Sequence, residues 1–180
     1  MDLIIFLQAL YFILPAYFAN IVPVIVKKIN FLAIPVDFGK KWNNRPVFGS
    51  HKTWRGLLFA TLGGVLIFYL QKILYPNDFF AMLSLVNYDK FPALFGALLG
   101  FGAIFGDLAK SFFKRRLAIP PGKRWLPFDQ IDLVVGALAF SLFYYAPPLW
   151  VWIFLILVTI PLHILVKFLG FYSGISNQKW

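Results

Sequence analysis

Long uncharged stretches alternate with short basic ones along this chain. Residues 3–26 are apolar except for Gln8 and Asn20, with Pro15 and Pro23 inside the run. Residues 56–71 carry no charge, and Arg55 and Lys72 stand at the two ends, where long side chains can snorkel towards water. Residues 91–106 form a third run, with Gly96, Gly100, Gly102 and Gly106 at spacings that let helix backbones approach closely. Residues 133–166 are uncharged throughout and are divided by Pro147-Pro148. A helix needs roughly 20 apolar residues to cross a bilayer. The pattern therefore predicts an all-α integral membrane protein, residues 1–180 as one domain. Its five transmembrane helices cover about residues 3–26, 54–75, 89–113, 129–146 and 149–169. The prolines predict a kink in the first span or a helix in two pieces, because each removes a backbone donor. The first run lacks a basic leader and a small-residue cleavage site, so it is read as a retained helix and not a signal peptide.

Charge tests the span count. With five spans, residues 27–56 and 110–124 and the C-terminal Lys167 and Lys179 share one side, which then holds fifteen of the seventeen cations. Four spans would put the C-terminal lysines on the opposite side. The positive-inside rule makes the basic side cytoplasmic, with the N-terminus outside and the C-terminus inside. Composition agrees: 61% of residues are hydrophobic, against roughly 45–50% in soluble domains. The net charge of +10 follows mostly from the loop bias, which removes the need for a nucleic-acid partner. There is no cysteine, so thiolate and disulfide chemistry are excluded, and all seven acidic residues are aspartates.

Three of those aspartates concentrate where the third span ends and the fourth begins. On a helix, Asp107, Lys110, Ser111 and Lys114 fall at i, i+3, i+4 and i+7 and share one face. Asp129 and Asp132 share a face at the start of the fourth span, which Gly136 continues, and Pro127 suits a helix start. Charge at a bilayer edge is costly unless it is paired or bound. Clustered aspartates suit a hard cation such as Mg²⁺, which takes one or two carboxylates plus phosphate oxygens and water, and the surrounding lysines and arginines suit phosphate. Each piece also has an ordinary explanation: helix ion pairs, aspartates favoured by a helix dipole, a cationic membrane anchor. A second basic segment, 49–56, precedes the second span. Gly49-Ser50 permits a tight turn with free amides, while Lys52, Thr53 and Arg55 stand at a helix N-terminus suited to anions. The loop at 30–48 is placed to cover the site, and His51 reads as a loop hydrogen-bonder.

These residues carry a resemblance. Gly106-Asp-Leu-x-x-Ser-x-x-Lys-Arg115, then Gly122, then Asp129-x-x-Asp132, resembles the C-terminal signature of the CDP-diacylglycerol synthases, and Lys52-Thr-Trp-Arg-Gly56 resembles their Lys-Thr-Trp-Glu-Gly motif. Lys123-Arg124 stands where the bacterial type has His-Gly-Gly, Gln130 replaces an arginine, and Arg55 replaces the glutamate. Size, span layout and these departures are closer to the archaeal branch, the CDP-archaeol synthases.

The resemblance implies a reaction in which CTP and an isoprenoid ether-linked glycerol phosphate give a CDP-archaeol-type lipid and pyrophosphate in the plane of a cell membrane. It implies Mg²⁺, alone or with a second cation, on Asp107, Asp129 and Asp132. It gives catalytic roles to Asp129, Asp132, Lys114 and Lys123, and substrate contacts to Lys52, Thr53, Arg55, Ser111, Arg115, Arg116 and Arg124. The implied partners are CTP, the lipid phosphate and membrane lipid, with no nucleic acid, and oligomeric state is left open. A small glycerol-phosphate acyltransferase, a CTP-dependent polyprenol-type lipid kinase and an ion transporter are the alternatives.

Overall fold

A computed structural model describes residues 3–120 and 123–172. The described residues form six α-helices: α1 (Leu3–Ile25), α2 (Trp54–Leu74), α3 (Asp78–Met82), α4 (Leu94–Arg116), α5 (Phe128–Ser141) and α6 (Leu149–Tyr172). A hairpin of two short strands, β1 (Lys41–Trp42) and β2 (Arg45–Pro46), lies between α1 and α2, an addition to the expected all-helical layout. Among the described residues, three helical stretches are long and apolar enough to cross a membrane: Leu3–Lys28, Trp54–Leu74 and Leu94–Arg116. A further apolar stretch, Leu149–Leu165, is shorter.

Of the two expectations for the first helix, a kink or two pieces, the structure overturns the second. α1 is one continuous helix with Pro15 and Pro23 inside it, extended by a 3-10 turn, Val26–Lys28. Pro15 is buried among the packed helices. The third helix begins later than expected because Pro92 precedes it, and it continues through Lys114, Arg115 and Arg116, which the sequence pattern places in a loop. The fourth ends at Ser141, short of residue 146.

α4 is central, packing against α1, α2 and α5. Its glycines explain how. A Cβ on Gly64 would stand 2.6 Å from the carbonyl oxygen of Gly96 and 2.7 Å from Cα of Gly100, so α2 and α4 touch backbone to backbone. On the other side of α4, a Cβ on Gly136 would meet the carbonyl oxygen of Gly102 at 2.2 Å and Cα of Gly106 at 2.9 Å. Small residues at helix crossings serve membrane bundles in this way, because lipid gives no hydrophobic drive for larger side chains to pack. The buried core between the helices includes Phe12, Phe68, Phe95, Leu99, Val134, Leu138 and Leu155. Leu58, Leu62, Leu66 and Ile73 of α2 face outward, as expected of a lipid-facing stripe.

α6 runs in the same direction as α1. Phe6 packs on Phe154 at 4.6 Å, and further along both helices Tyr17 and Thr159 share a hydrogen bond. The end of α1, the start of α2, the end of α4 and the start of α5 meet at one end of the bundle, where the charged residues gather.

The α2–α4 crossing gives a direct test. Gly64→Val is expected to cost about 1–3 kcal/mol by overpacking, read as a lower thermal midpoint in detergent. An unchanged midpoint would show that the two backbones do not meet there.

Candidate active site

The site is built at the paired ends of α4 and α5. Gly106 sets their separation: a Cβ there would stand 2.1 Å from the carbonyl oxygen of Asp132. With the backbones this close, side chains of α4 reach across to α5. Lys110 sits one turn beyond Gly106 and its Nζ contacts all three aspartates, at 3.0 Å from Asp107, 3.4 Å from Asp129 and 2.6 Å from Asp132. Lys114, a further turn on, lies 3.0 Å from both carboxylate oxygens of Asp129 and also donates to the carbonyl of Lys123. From the start of α2, Lys52 pairs with the second oxygen of Asp107. The outcome is three carboxylates interleaved with three ammonium groups, all but Lys52 largely buried. Backbone amides complete the carboxylates: Trp125 donates to Asp129 at 2.6 Å and Leu133 donates to Asp132 at 2.7 Å.

Two cavities of opposite character flank this cluster. One, of about 360 Å³, opens between the loop 35–52 and α4; Asp37, Ser50, Lys52, Lys110, Lys114 and Arg115 are among its lining residues. The other, of about 450 Å³, is a groove between α4 and α5 walled by Phe105, Phe113, Phe128, Val135 and Phe140, with Lys110 and Asp132 at its polar end. Lys110 lines both.

The loop over the polar cavity is held by its backbone. Segment 32–36 runs back along 52–55, with Val36 donating to Lys52 at 2.7 Å, Trp54 to Ile34 at 3.0 Å and Arg55 to Leu32 at 2.8 Å. Buried Asp37 accepts from the amides of Gly39, Phe48 and Gly49. Burial alone would raise its pKa, but the Gly49, Phe48 and Gly39 amides outweigh that and hold the carboxyl below the usual range. The amide of Gly49 is thus engaged, which corrects the expectation of free amides at Gly49-Ser50; Gly49 itself has φ of +104°, where other residues are strained.

The hairpin is locked to α4 by two arginines acting in opposite directions. Arg45 donates to the carbonyls of Arg115 and Arg116, which end α4. Arg116 donates to the carbonyls of Trp42, Arg45 and Pro46, and its guanidinium lies over the rings of Trp42 and Phe112 at 5.4 and 5.2 Å.

The residues singled out from the sequence therefore fall in two groups. Lys52, Asp107, Ser111, Lys114, Arg115, Asp129 and Asp132 come together around the cluster and its polar cavity. Thr53 caps α2, its hydroxyl accepting from Gly56, and borders a small recess beside Lys52 and Asp107. Arg55 is buried against the carbonyl of Ile29 and lines neither large cavity. Arg116 is engaged by the hairpin, Lys123 reaches the cluster through its carbonyl, and Arg124 is exposed. Gly122 lies outside the described residues. The sequence reading misses three positions: Lys110 as the centre of the cluster, Asp37 and Arg45. Asp37 carries a readable signal, since Asp-x-Gly is a common side-chain-to-backbone turn.

The donor set tests whether a divalent cation fits. Oxygens of three aspartates lie within 3.4 Å of one point, the right chemistry for a hard cation, but the ammonium of Lys110 stands at that point. As arranged, no three acidic or histidine side chains among the described residues form a ready metal centre.

Apolar helices, a buried carboxylate–lysine cluster and a polar cavity backed by a hydrocarbon-lined groove define a membrane-embedded enzyme. A solved structure of an intramembrane enzyme for archaeal membrane lipids biosynthesis superimposes with a TM-score of 0.72 at 30% identity, covering 89% of this chain and 93% of that one. The family model described as CarS-like: CDP-archaeol synthase matches residues 1–180. CDP-archaeol synthase of Pyrococcus furiosus is 42% identical over 97% of this chain and 98% of its own. That of Methanocaldococcus jannaschii is 35% identical over 96% of each. The chain belongs to the CDP-archaeol synthase family.

The loop predicts a pH effect. Asp37 has a folded-state pKa below its unfolded value, so its contribution is complete above about pH 4 and is lost as pH falls through the lower folded value. Asp37→Asn, which weakens this clasp at neutral pH, is expected to cost about 1–3 kcal/mol for each amide left unpaired. Faster hydrogen exchange at Phe48 and Gly49 is the measurement; unchanged protection would remove Asp37 as the loop's anchor.

Proposed function

We propose that this chain transfers the cytidylyl group of CTP to an ether-linked isoprenoid glycerol phosphate, forming a CDP-archaeol-type lipid and pyrophosphate. The observation that carries the reading is the position of Lys110 and its aspartates on the wall between a polar cavity and a hydrocarbon-lined groove. A water-soluble triphosphate and a lipid phosphate are two reactants that need such opposite surroundings and must meet at one point. The triphosphate occupies the polar cavity, and the isoprenoid chain lies between Phe105, Phe113, Val135 and Phe140 with its phosphate at the Lys110 end.

In this reading an oxygen of the lipid phosphate attacks the α-phosphorus of CTP. The bond from that phosphorus to the bridging oxygen breaks, and pyrophosphate leaves. Such transfers depend on positioning and charge neutralisation more than on covalent help from the protein. Lys114 and Arg115 line the polar cavity and stabilise the leaving pyrophosphate, Lys52 and Ser111 hold the triphosphate, and Lys110 draws the two reacting phosphates together. Thr53, Lys123 and Arg124 lie at the periphery; Arg55 and Arg116 act by holding the frame in which these donors stand. Mg²⁺, bound to Asp107, Asp129 and Asp132 together with the nucleotide, would screen charge on the triphosphate.

In this reading α1, α2, α4, α5 and α6 each cross the membrane, with the N-terminus outside and the C-terminus inside. The parallel course of α1 and α6 and the loop cations support it, since both helices then end on the basic, cytoplasmic side where CTP is found.

Purified protein incubated with CTP, Mg²⁺ and digeranylgeranyl glycerol phosphate is expected to yield a CDP-linked lipid and one pyrophosphate, read by product mass. Release of CDP with a doubly phosphorylated lipid would instead indicate a kinase. Asp132→Asn is expected to lower kcat by at least about a hundredfold, the loss typical of removing one preorganised electrostatic group, and full activity in that variant would sink the assignment.

A further inference from the structure

The charges of the cluster balance without any added ion. Asp107, Asp129 and Asp132 are each in contact with at least one ammonium, and Lys52, Lys110 and Lys114 supply three positive charges against three negative ones. Lys110 holds the shared point between the carboxylates. A divalent cation arriving alone would meet that ammonium and add two uncompensated positive charges to a largely buried site. Uncompensated charge in such surroundings is strongly disfavoured. A nucleotide triphosphate removes the obstacle from the other side. It brings negative charge into the 360 Å³ cavity, which Lys52, Lys110, Lys114 and Arg115 all line. Each lysine then has a second acceptor within reach of the same flexible side chain.

We infer that Lys110 is a placeholder cation: it closes the aspartate site in the nucleotide-free enzyme, and the lysines exchange carboxylate for phosphate when CTP binds, so that the site accepts a divalent cation only together with the nucleotide. The exchange makes and breaks no covalent bond and keeps the charge of the site near balance at each stage. It rests on the cytidylyltransferase reading, and it assigns Lys110 a positioning role that its i, i+3 pairing with Asp107 alone would not require.

The test uses Mn²⁺ as the probe and an unreactive α,β-methylene analogue of CTP, with protein-bound metal read by water-proton relaxation in detergent. Wild-type protein is expected to bind Mn²⁺ weakly alone and about 5–150-fold more tightly with the analogue, and Mn²⁺ should tighten the analogue by the same factor. Lys110→Met is expected to bind Mn²⁺ tightly without nucleotide, with the dependence on the analogue reduced. Wild-type protein that binds Mn²⁺ equally well with and without the analogue overturns the proposal. So does a folded Lys110→Met variant, with a wild-type thermal midpoint, whose nucleotide-free Mn²⁺ affinity is unchanged. If the variant does not fold, the wild-type comparison decides alone. Failure of CDP-lipid formation would instead reject the functional reading, whereas product formation with nucleotide-independent Mn²⁺ binding would reject only the placeholder role.

Discussion

A lysine nitrogen shared by three carboxylates is the constraint around which this molecule is arranged. Burying any one of these charges alone would cost several kcal/mol. Together they are tolerated because each carboxylate has an ammonium and two also have a backbone amide. That arrangement demands that α4 and α5 approach until their backbones touch, which Gly106 and Gly136 allow. It demands that α2 begin beside them, so that Lys52 reaches Asp107, and Thr53 fixes that beginning as the N-cap. The glycine contacts and the ion cluster are therefore two aspects of one design: close backbones below, crossing side chains above.

The layout of the bundle was largely legible in the sequence. Uncharged runs of membrane length, bounded by cations, marked the long helices, and Pro127 marked the start of α5. The misplacements have physical causes. Lys114, Arg115 and Arg116 were read as loop, but the helix continues through them, with Lys114 joining the ion cluster and Arg116 engaged by the hairpin. The prolines of α1 were read as a kink or a helix in two pieces, and the helix is in one piece through both of them.

The site was legible by face and not by partner. Helical spacing placed Asp107, Lys110, Ser111 and Lys114 together, and Asp129 with Asp132. Which nitrogen meets which oxygen depends on how α5 docks, and that is set by a backbone contact no side-chain pattern displays. Lys110 therefore looked like half of an ordinary helix pair. Arg116 looked like a phosphate donor because its type and neighbourhood fit, but the hairpin carbonyls that engage it come from about seventy residues earlier. The family relationship agrees with the branch that the motifs suggested.

The clasp on Asp37 has a consequence for variation among related chains. It grips amides, which every residue but proline provides, so the course of the rim over the polar cavity does not depend on the side chains it displays. Gly39 and Gly49, with φ of +75° and +104°, are tied to residue type, and Phe38, Asn43 and Asn44 also sit at positive φ. Ser50 and His51 are free to change chemistry on a frame that keeps its shape. In the proposed reading, nucleotide preference can therefore drift through the rim while the cluster beneath it stays fixed.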